Sequence, residues 1–224
     1  MGYTVTVFEK NSTPGGHVSK WDRLFPNRRH SFEVVNELKS LLNGNPDIYL
    51  STSINKITQK DKRFQLEAYN QIFEADAVLI ATGFELFPAE RKEEYGYGIY
   101  DNVITSAELE GIFKEHGHPI MRNGNTPKRL AFIHCVGSRD EKDKRPYCSK
   151  VCCVTAVKQA IEVKEDIPEA EIFCLYMDLR MFGPGYKDLY KEAQQKGINF
   201  IRGRLSEASD LEGGRVLIKT EDTL

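Results

Sequence analysis

Four of the five cysteines of this 224-residue chain lie between Cys135 and Cys153, in CVGSRDEKDKRPYCSKVCC, spaced C-x12-C-x3-C-C. Cys148 and Cys152 are one helical turn apart, so both thiols can face one point. Cys153 is adjacent, and Cys135 arrives from the far side of a charged loop. Thiolates are soft ligands, and four together suit an iron–sulfur cluster or zinc. The spacing leans toward iron and sulfur, because zinc sites more often show two separated C-x2-C knuckles. Three other readings stay open: buried structural thiols, of which Cys174 in the apolar stretch IFCLYM is an example; a disulfide; and chance clustering. A disulfide belongs to oxidising compartments, and nothing in the sequence points to one.

Composition narrows the classes. The chain carries 31 basic and 33 acidic side chains, a net charge of −2. That balance gives no reason to expect a nucleic-acid partner, and the short cluster PNRRH is no phosphate-binding stripe. No apolar run approaches the roughly 18–20 residues of a membrane span. TVTVF near the N-terminus is too short for a signal peptide and is followed by charge. A cytoplasmic, reducing location is expected, and it agrees with thiols serving as ligands.

The elements that must position the cysteines follow from periodicity. Tyr3–Phe8 predicts a strand ending at Glu9 and Lys10, followed by the turn NSTPGGH with Gly15, Gly16 and His17. In a dinucleotide-binding fold the second strand ends in an acid that bonds ribose hydroxyls, and glycines let backbone approach a cofactor. An ordinary βα loop would read the same way. Ser31–Leu42 predicts a helix capped by Ser31, with Phe32, Val35, Leu38 and Leu42 on one stripe, stopped by Asn43-Gly44-Asn45-Pro46. Strands are expected at 48–50, 54–58, 63–69 and 71–74. Ala77–Thr82 is a continuous apolar run ending in Gly83, the pattern of a strand buried on both faces. Residues 85–125 read as irregular, with one helix from Ser106, as cap, to Glu115. A second α/β unit then begins: strand 129–136, helix 149–164, strand 171–177, helix 186–196, strand 198–202, and a hairpin of 205–209 with 215–219 across Glu212-Gly213-Gly214. Alternating strands and helices indicate a parallel sheet. A pyrophosphate-gripping turn after the first of these strands would read G-x-G-x-x-G. The turn holds one glycine and the cysteines instead, so a metal centre is expected where a nicotinamide cofactor usually sits.

In VFEKNSTPGGH, LIATGFELF, the cysteine stretch and MDLRMFGPGYKDLY, the chain resembles the heterodisulfide reductase A family and the related flavoproteins of quinone-interacting membrane-bound oxidoreductase complexes. The resemblance implies an α/β, thioredoxin-reductase-like fold of two interleaved Rossmann-like domains. Residues 1–125 would be a partial FAD-binding domain, and residues 126–224 a second domain carrying a [4Fe–4S] cluster. It implies that Glu9, with Lys10 beside it, holds the FAD ribose, that Gly15, Gly16 and His17 lie along the cofactor, and that Ile54 meets the adenine through backbone. It further implies that Thr82 and Gly83 close over the flavin and that Cys135, Cys148, Cys152 and Cys153 ligate the cluster. Lys158 would stand near the flavin N5, where a cation stabilises reduced flavin. From the residues alone Lys158 reads as a solvated helix lysine.

The sequence departs from that family in places. The first Rossmann strand and its glycine-rich loop are missing, so the chain is expected to be an internal fragment that binds FAD weakly or not at all by itself. Arg28-Arg29-His30 stands where some relatives carry a cysteine pair. The implied function is an oxidoreductase subunit passing electrons between FAD and the cluster to partner subunits, in a setting that includes electron bifurcation; a homodimer is compatible with it. The rival expectation is a non-catalytic scaffold with a structural zinc or cluster and no flavin.

Overall fold

Short β-branched runs shape the first part of the chain. In the computed structural model, which describes residues 2–42, 46–212 and 214–223, β1 (Thr6–Phe8) pairs in parallel with β4 (Asp47–Tyr49). The strand is shorter than the expected 3–8 because Tyr3 and Val5 are exposed and lie outside the ladder. Helix α1 (Ser31–Leu41) precedes β4. A meander follows: β5 (Ile54–Lys60), β6 (Arg63–Ala68) and β7 (Gln71–Ala75) form an antiparallel sheet in the order β5-β6-β7. Its buried side chains are Leu66 and Ala68 on the central strand.

Three expectations fail in this part. Residues 77–83 form no strand, and Leu79 is 91% exposed. A buried strand needs hydrogen-bonded neighbours, and among the described residues β1 and β4 pair only with each other. On α1 the stripe of Phe32 and Leu38 faces outward, while Val34 and Val35 are half-buried. Ser31 is not the cap: it is the buried first residue of the helix, and His30, in extended conformation, occupies the cap position. The Asn43-Gly44-Asn45 part of the expected helix stop, and Gly213 of the expected hairpin turn, lie outside the described residues.

The second part is built on a parallel sheet. Between the short strands β2 (Arg23–Leu24) and β3 (Arg29–His30) lies a cis Phe25–Pro26 bond. Helix α2 (Ser106–His116) is capped by Thr105, not Ser106. Thr105 accepts at Oγ1 from the Glu108 N–H at 3.2 Å, and its own N–H donates to Glu108 Oε2 at 2.6 Å. That reciprocal box is legible as T-x-x-E. The sheet order is β10-β9-β8, with β8 (Arg129–Ile133), β9 (Glu171–Tyr176) and β10 (Asn199–Arg202) all parallel. Helices α3 (Cys152–Asp166) and α4 (Tyr186–Gln195) connect them, as the alternating pattern requires. β11 (Leu205–Leu211) and β12 (Arg215–Thr220) make the expected hairpin.

Helix α3 is the centre of the core. Val154, Val157, Ala160, Ile161 and Val163 are fully buried against Ile172 and Cys174 of β9 and Leu189 and Ala193 of α4. Leu109 and Phe113 of α2 join the same cluster. Their packing places residues 86–125 with the cysteine-bearing part: the two compact units are Met1–Lys20 with His30–Glu85, and Trp21–Arg29 with Leu86–Leu224. No helix among the described residues is long and apolar enough to cross a membrane.

Candidate functional site

In the second unit, β8 stops at Ile133 and α3 begins at Cys152, so the cysteine loop occupies the carboxyl end of a sheet strand and the amino end of the next helix. Open α/β sheets bind their ligands at that end. The helix starts three residues later than expected, which leaves Cys148 in the loop and puts Cys152 and Cys153 in the first turn of α3. A helix amino terminus favours thiolate. Cys135 takes a positive φ of 61°, and Gly137 follows at 65°. A Cβ on Gly137 would lie 2.1 Å from the Phe87 ring, so only glycine fits there.

The thiols converge in part. The Cys135 and Cys152 sulfurs are 4.0 Å apart. Cys153 donates to the Asp178 carbonyl at 3.7 Å, and the Cys148 sulfur accepts from the Lys150 N–H at 3.3 Å. Hydrogen bonds from Cys135, then Cys153, hold the Cys152 thiol well below the usual range. The same contact with Cys152, together with burial, pushes Cys135 and Cys153 up. Among the described residues no group of three or more His, Cys, Asp or Glu side chains is set to hold a metal ion as it stands. The donor chemistry nonetheless fits one. A tetrahedral ion with bonds of about 2.3 Å spaces its sulfurs by about 3.8 Å, near the distance between Cys135 and Cys152. A four-iron cluster is larger and requires the sulfurs to stand farther apart. Cys174 is a core side chain whose thiol burial pushes up to about 12.

Residues that the sequence did not single out surround these thiols. His134, just before Cys135, is buried, and burial pulls its ring down to about 4. Arg139 donates to Asp178 at 2.9 Å. Lys92 lies 2.7 Å from Asp140 and 2.6 Å from Asp143, both within the loop. The loop's run of charges was visible as composition, but its partner far upstream was not.

Lys158 is not a solvated lysine. Its side chain is 1% exposed, and Nζ lies 2.5 Å from Glu110, 3.0 Å from Glu162 and 3.0 Å from the Arg23 carbonyl. Gln159 donates to Glu110 as well, at 2.7 Å. Burial pushes Glu162 up to about 7 in spite of Lys158, since neither of its oxygens accepts a well-directed hydrogen bond.

In the first unit, Glu9 directly follows β1. Its N–H donates to the Tyr49 carbonyl, and its carbonyl accepts from the Thr52 N–H, both at 2.9 Å. Its carboxylate accepts from the backbone and side-chain amides of Asn11, each at 2.8 Å. Ile54 opens β5 two residues beyond Thr52, opposite Ala68. Gly15 and Gly16 have φ of 121° and 50°. His17 stacks on Phe84 with centroids 5.2 Å apart, and its Nε2 lies 2.9 Å from the Phe84 carbonyl. That contact joins the glycine turn to Phe84, the residue after Gly83. Lys10 is exposed. A cavity of about 390 Å³ is lined by Tyr49, Thr52, Ala68, Tyr69 and Phe73 among others.

No protein-family model matches the chain. The A component of the H2/formate:CoB-CoM heterodisulfide,ferredoxin reductase of Methanococcus maripaludis is 49% identical over 154 residues, covering 66% of this chain and 23% of that protein. An iron-sulfur A component of the CoB–CoM heterodisulfide reductase of Methanopyrus kandleri is 46% identical over 157 residues, covering 66% and 24%. The chain thus spans about a quarter of the length of the curated relatives it matches. Among solved structures, thioredoxin reductase from Lactococcus lactis matches with a TM-score of 0.54 at 13% identity, covering 98% of this chain and 75% of that one. Thioredoxin reductase from T. acidophilum matches at 0.50 and 14%, covering 99% and 67%. The fold is of the thioredoxin-reductase-like, Rossmann-type class. Over about two thirds of its length, the chain is homologous to a stretch of the heterodisulfide reductase A proteins.

Proposed function

We propose that this chain is an electron-transfer segment of an oxidoreductase subunit of the heterodisulfide reductase A kind. Cys135, Cys148, Cys152 and Cys153 would hold a [4Fe–4S] cluster on the part read as residues 126–224. FAD would lie along the part read as residues 1–125, with Glu9 and Lys10 at the ribose, Gly15, Gly16 and His17 along the cofactor, Ile54 at the adenine, and Thr82 and Gly83 closing over the flavin. A flavin carries electron pairs and a cluster single electrons, which is the chemistry such a pairing supplies. Lys158 is the residue proposed near flavin N5, where a cation would stabilise reduced flavin. Its partners would be other subunits of a heterodisulfide reductase-like complex, acting in the cytoplasm, with bifurcation as one setting and homodimerisation as one assembly.

The observation that carries this reading is the confinement of all four cysteines to the stretch from the end of β8 to the first turn of α3; the Cys135 and Cys152 sulfurs there are 4.0 Å apart. The test is anaerobic reconstitution with iron and sulfide, followed by metal and sulfide analysis and low-temperature EPR of the reduced protein. About four irons and four sulfides with a reduced-cluster signal are expected. Zinc alone, with a silent spectrum and no flavin, would refute it. That outcome belongs to the second reading, a zinc-stiffened scaffold, which the same 4.0 Å separation favours because it suits a single tetrahedral ion.

A further inference from the structure

The loop between Cys135 and Cys148 is closed on itself and gripped from outside. Asp140 and Arg145 exchange both backbone hydrogen bonds at 2.9 Å, and the Arg139 N–H donates to the Tyr147 carbonyl at 2.9 Å. Ser138 Oγ donates to that same carbonyl and accepts from the Ser149 N–H, each at 3.0 Å. Residues 138–149 are therefore a small hairpin, with Cys135 just before it and Cys148 on its return.

The hairpin's two inner acids meet one cation. Lys92 Nζ is 2.7 Å from Asp140 and 2.6 Å from Asp143, and the three side chains are only 6%, 4% and 7% exposed. Arg204 adds a contact to Asp140 at 2.8 Å, and Arg91 one to Asp143 at 2.6 Å. Removing charges from water is costly, and good geometry between opposite charges offsets it. The hairpin cannot leave Lys92 without orphaning buried charge. The ion pair is robust: bonding to Lys92 holds Asp140 down to about 2, and bonding to Asp140 and Asp143 holds Lys92 up to about 12. Arg139, adjacent to Asp140 in the same hairpin, donates to Asp178 at 2.9 Å.

We propose that Lys92 is a positioning residue for the thiolate centre. By gripping Asp140 and Asp143 it fixes the hairpin that sets Cys135 relative to Cys148. Only the metal arm of the following test rests on the metal-centre reading.

The full chain is compared as wild type, Lys92→Met and Lys92→Arg. Amide exchange is followed at Arg139, Asp140 and Arg145. Cobalt(II), as the probe metal, is titrated against a chelator through its thiolate-to-cobalt absorption. Lys92→Met is expected to speed exchange at those three amides while α3 stays protected, and to weaken cobalt binding about 10- to 100-fold, as for other groups that orient ligands. Lys92→Arg keeps a buried cation and is expected to recover most of both. Unchanged exchange in Lys92→Met overturns the clamp, and so does unchanged cobalt affinity in a wild type that binds it. A wild type that takes no cobalt through thiolate refutes the metal-centre reading, and the exchange data still decide the clamp. If Lys92→Met does not fold, Asp143→Asn removes one of the two carboxylates and gives the same readouts at smaller size.

Discussion

The two units of this chain treat apolar residues in opposite ways. In the second, Ile161 and Val157 of α3 are fully buried, and each strand of the β10-β9-β8 sheet has a parallel neighbour. In the first, Leu79 is 91% and Ile80 71% exposed, in a run that reads as strongly strand-like as β9 does. A β-branched run becomes a strand only where another backbone supplies its hydrogen bonds. The fold around the cysteines is self-sufficient in that respect. The 77–83 run is not supplied with a ladder among the described residues.

The comparison is broken most severely by unpairing the buried charges of the second unit. Lys158→Met leaves Glu110 and Glu162 buried without their cation, and it should cost about 3–5 kcal/mol in chemical denaturation. Truncating packing comes next. Ile161→Ala should cost about 2–5 kcal/mol, whereas Leu79→Ala should stay within about 0.5 kcal/mol. Equal losses for the two alanine variants would erase the contrast between the units.

Glu162 sharpens the contrast through pH. Its carboxyl is raised in the folded state to about 7 from 4.5, with burial as the main cause. Protonation therefore favours folding. This contribution is fully present below about 4.5 and is lost as pH rises through about 7. Glu162→Gln should stabilise the protein by up to about 3 kcal/mol at pH 8 and change little at pH 4. Melting curves at the two pH values give the answer, and a gain at pH 4 equal to that at pH 8 would deny the burial. A smaller loss is expected at α2: Thr105→Ala removes the reciprocal cap and should cost about 1 kcal/mol, while Ser106→Ala should cost less.

Sequence periodicity located most elements of the second unit within a few residues, because a buried βαβαβ run must alternate apolar strands with amphipathic helices. It missed the true cap of α2, since Thr105 and Ser106 are both good capping residues and only the Glu three positions after Thr105 closes the box. It misjudged α1, where Phe32 and Leu38 make a proper helical stripe that faces outward. The cysteine cluster was legible from spacing, and the turn at Gly15–His17 from its glycines. The Lys92–Asp140–Asp143 clamp and the Glu110–Lys158–Glu162 cluster were not legible. Each joins residues roughly fifty positions apart, and a charged side chain in a sequence reads by default as solvated.

The central claim is that the four clustered cysteines are ligands. Its most direct test is iron retention after anaerobic reconstitution of the Cys148→Ser, Cys152→Ser double variant beside the wild type. The account predicts about four irons in the wild type and loss of both iron and the reduced-cluster EPR signal in the variant, with the α3 core still folded. Iron bound equally well by the variant would contradict it.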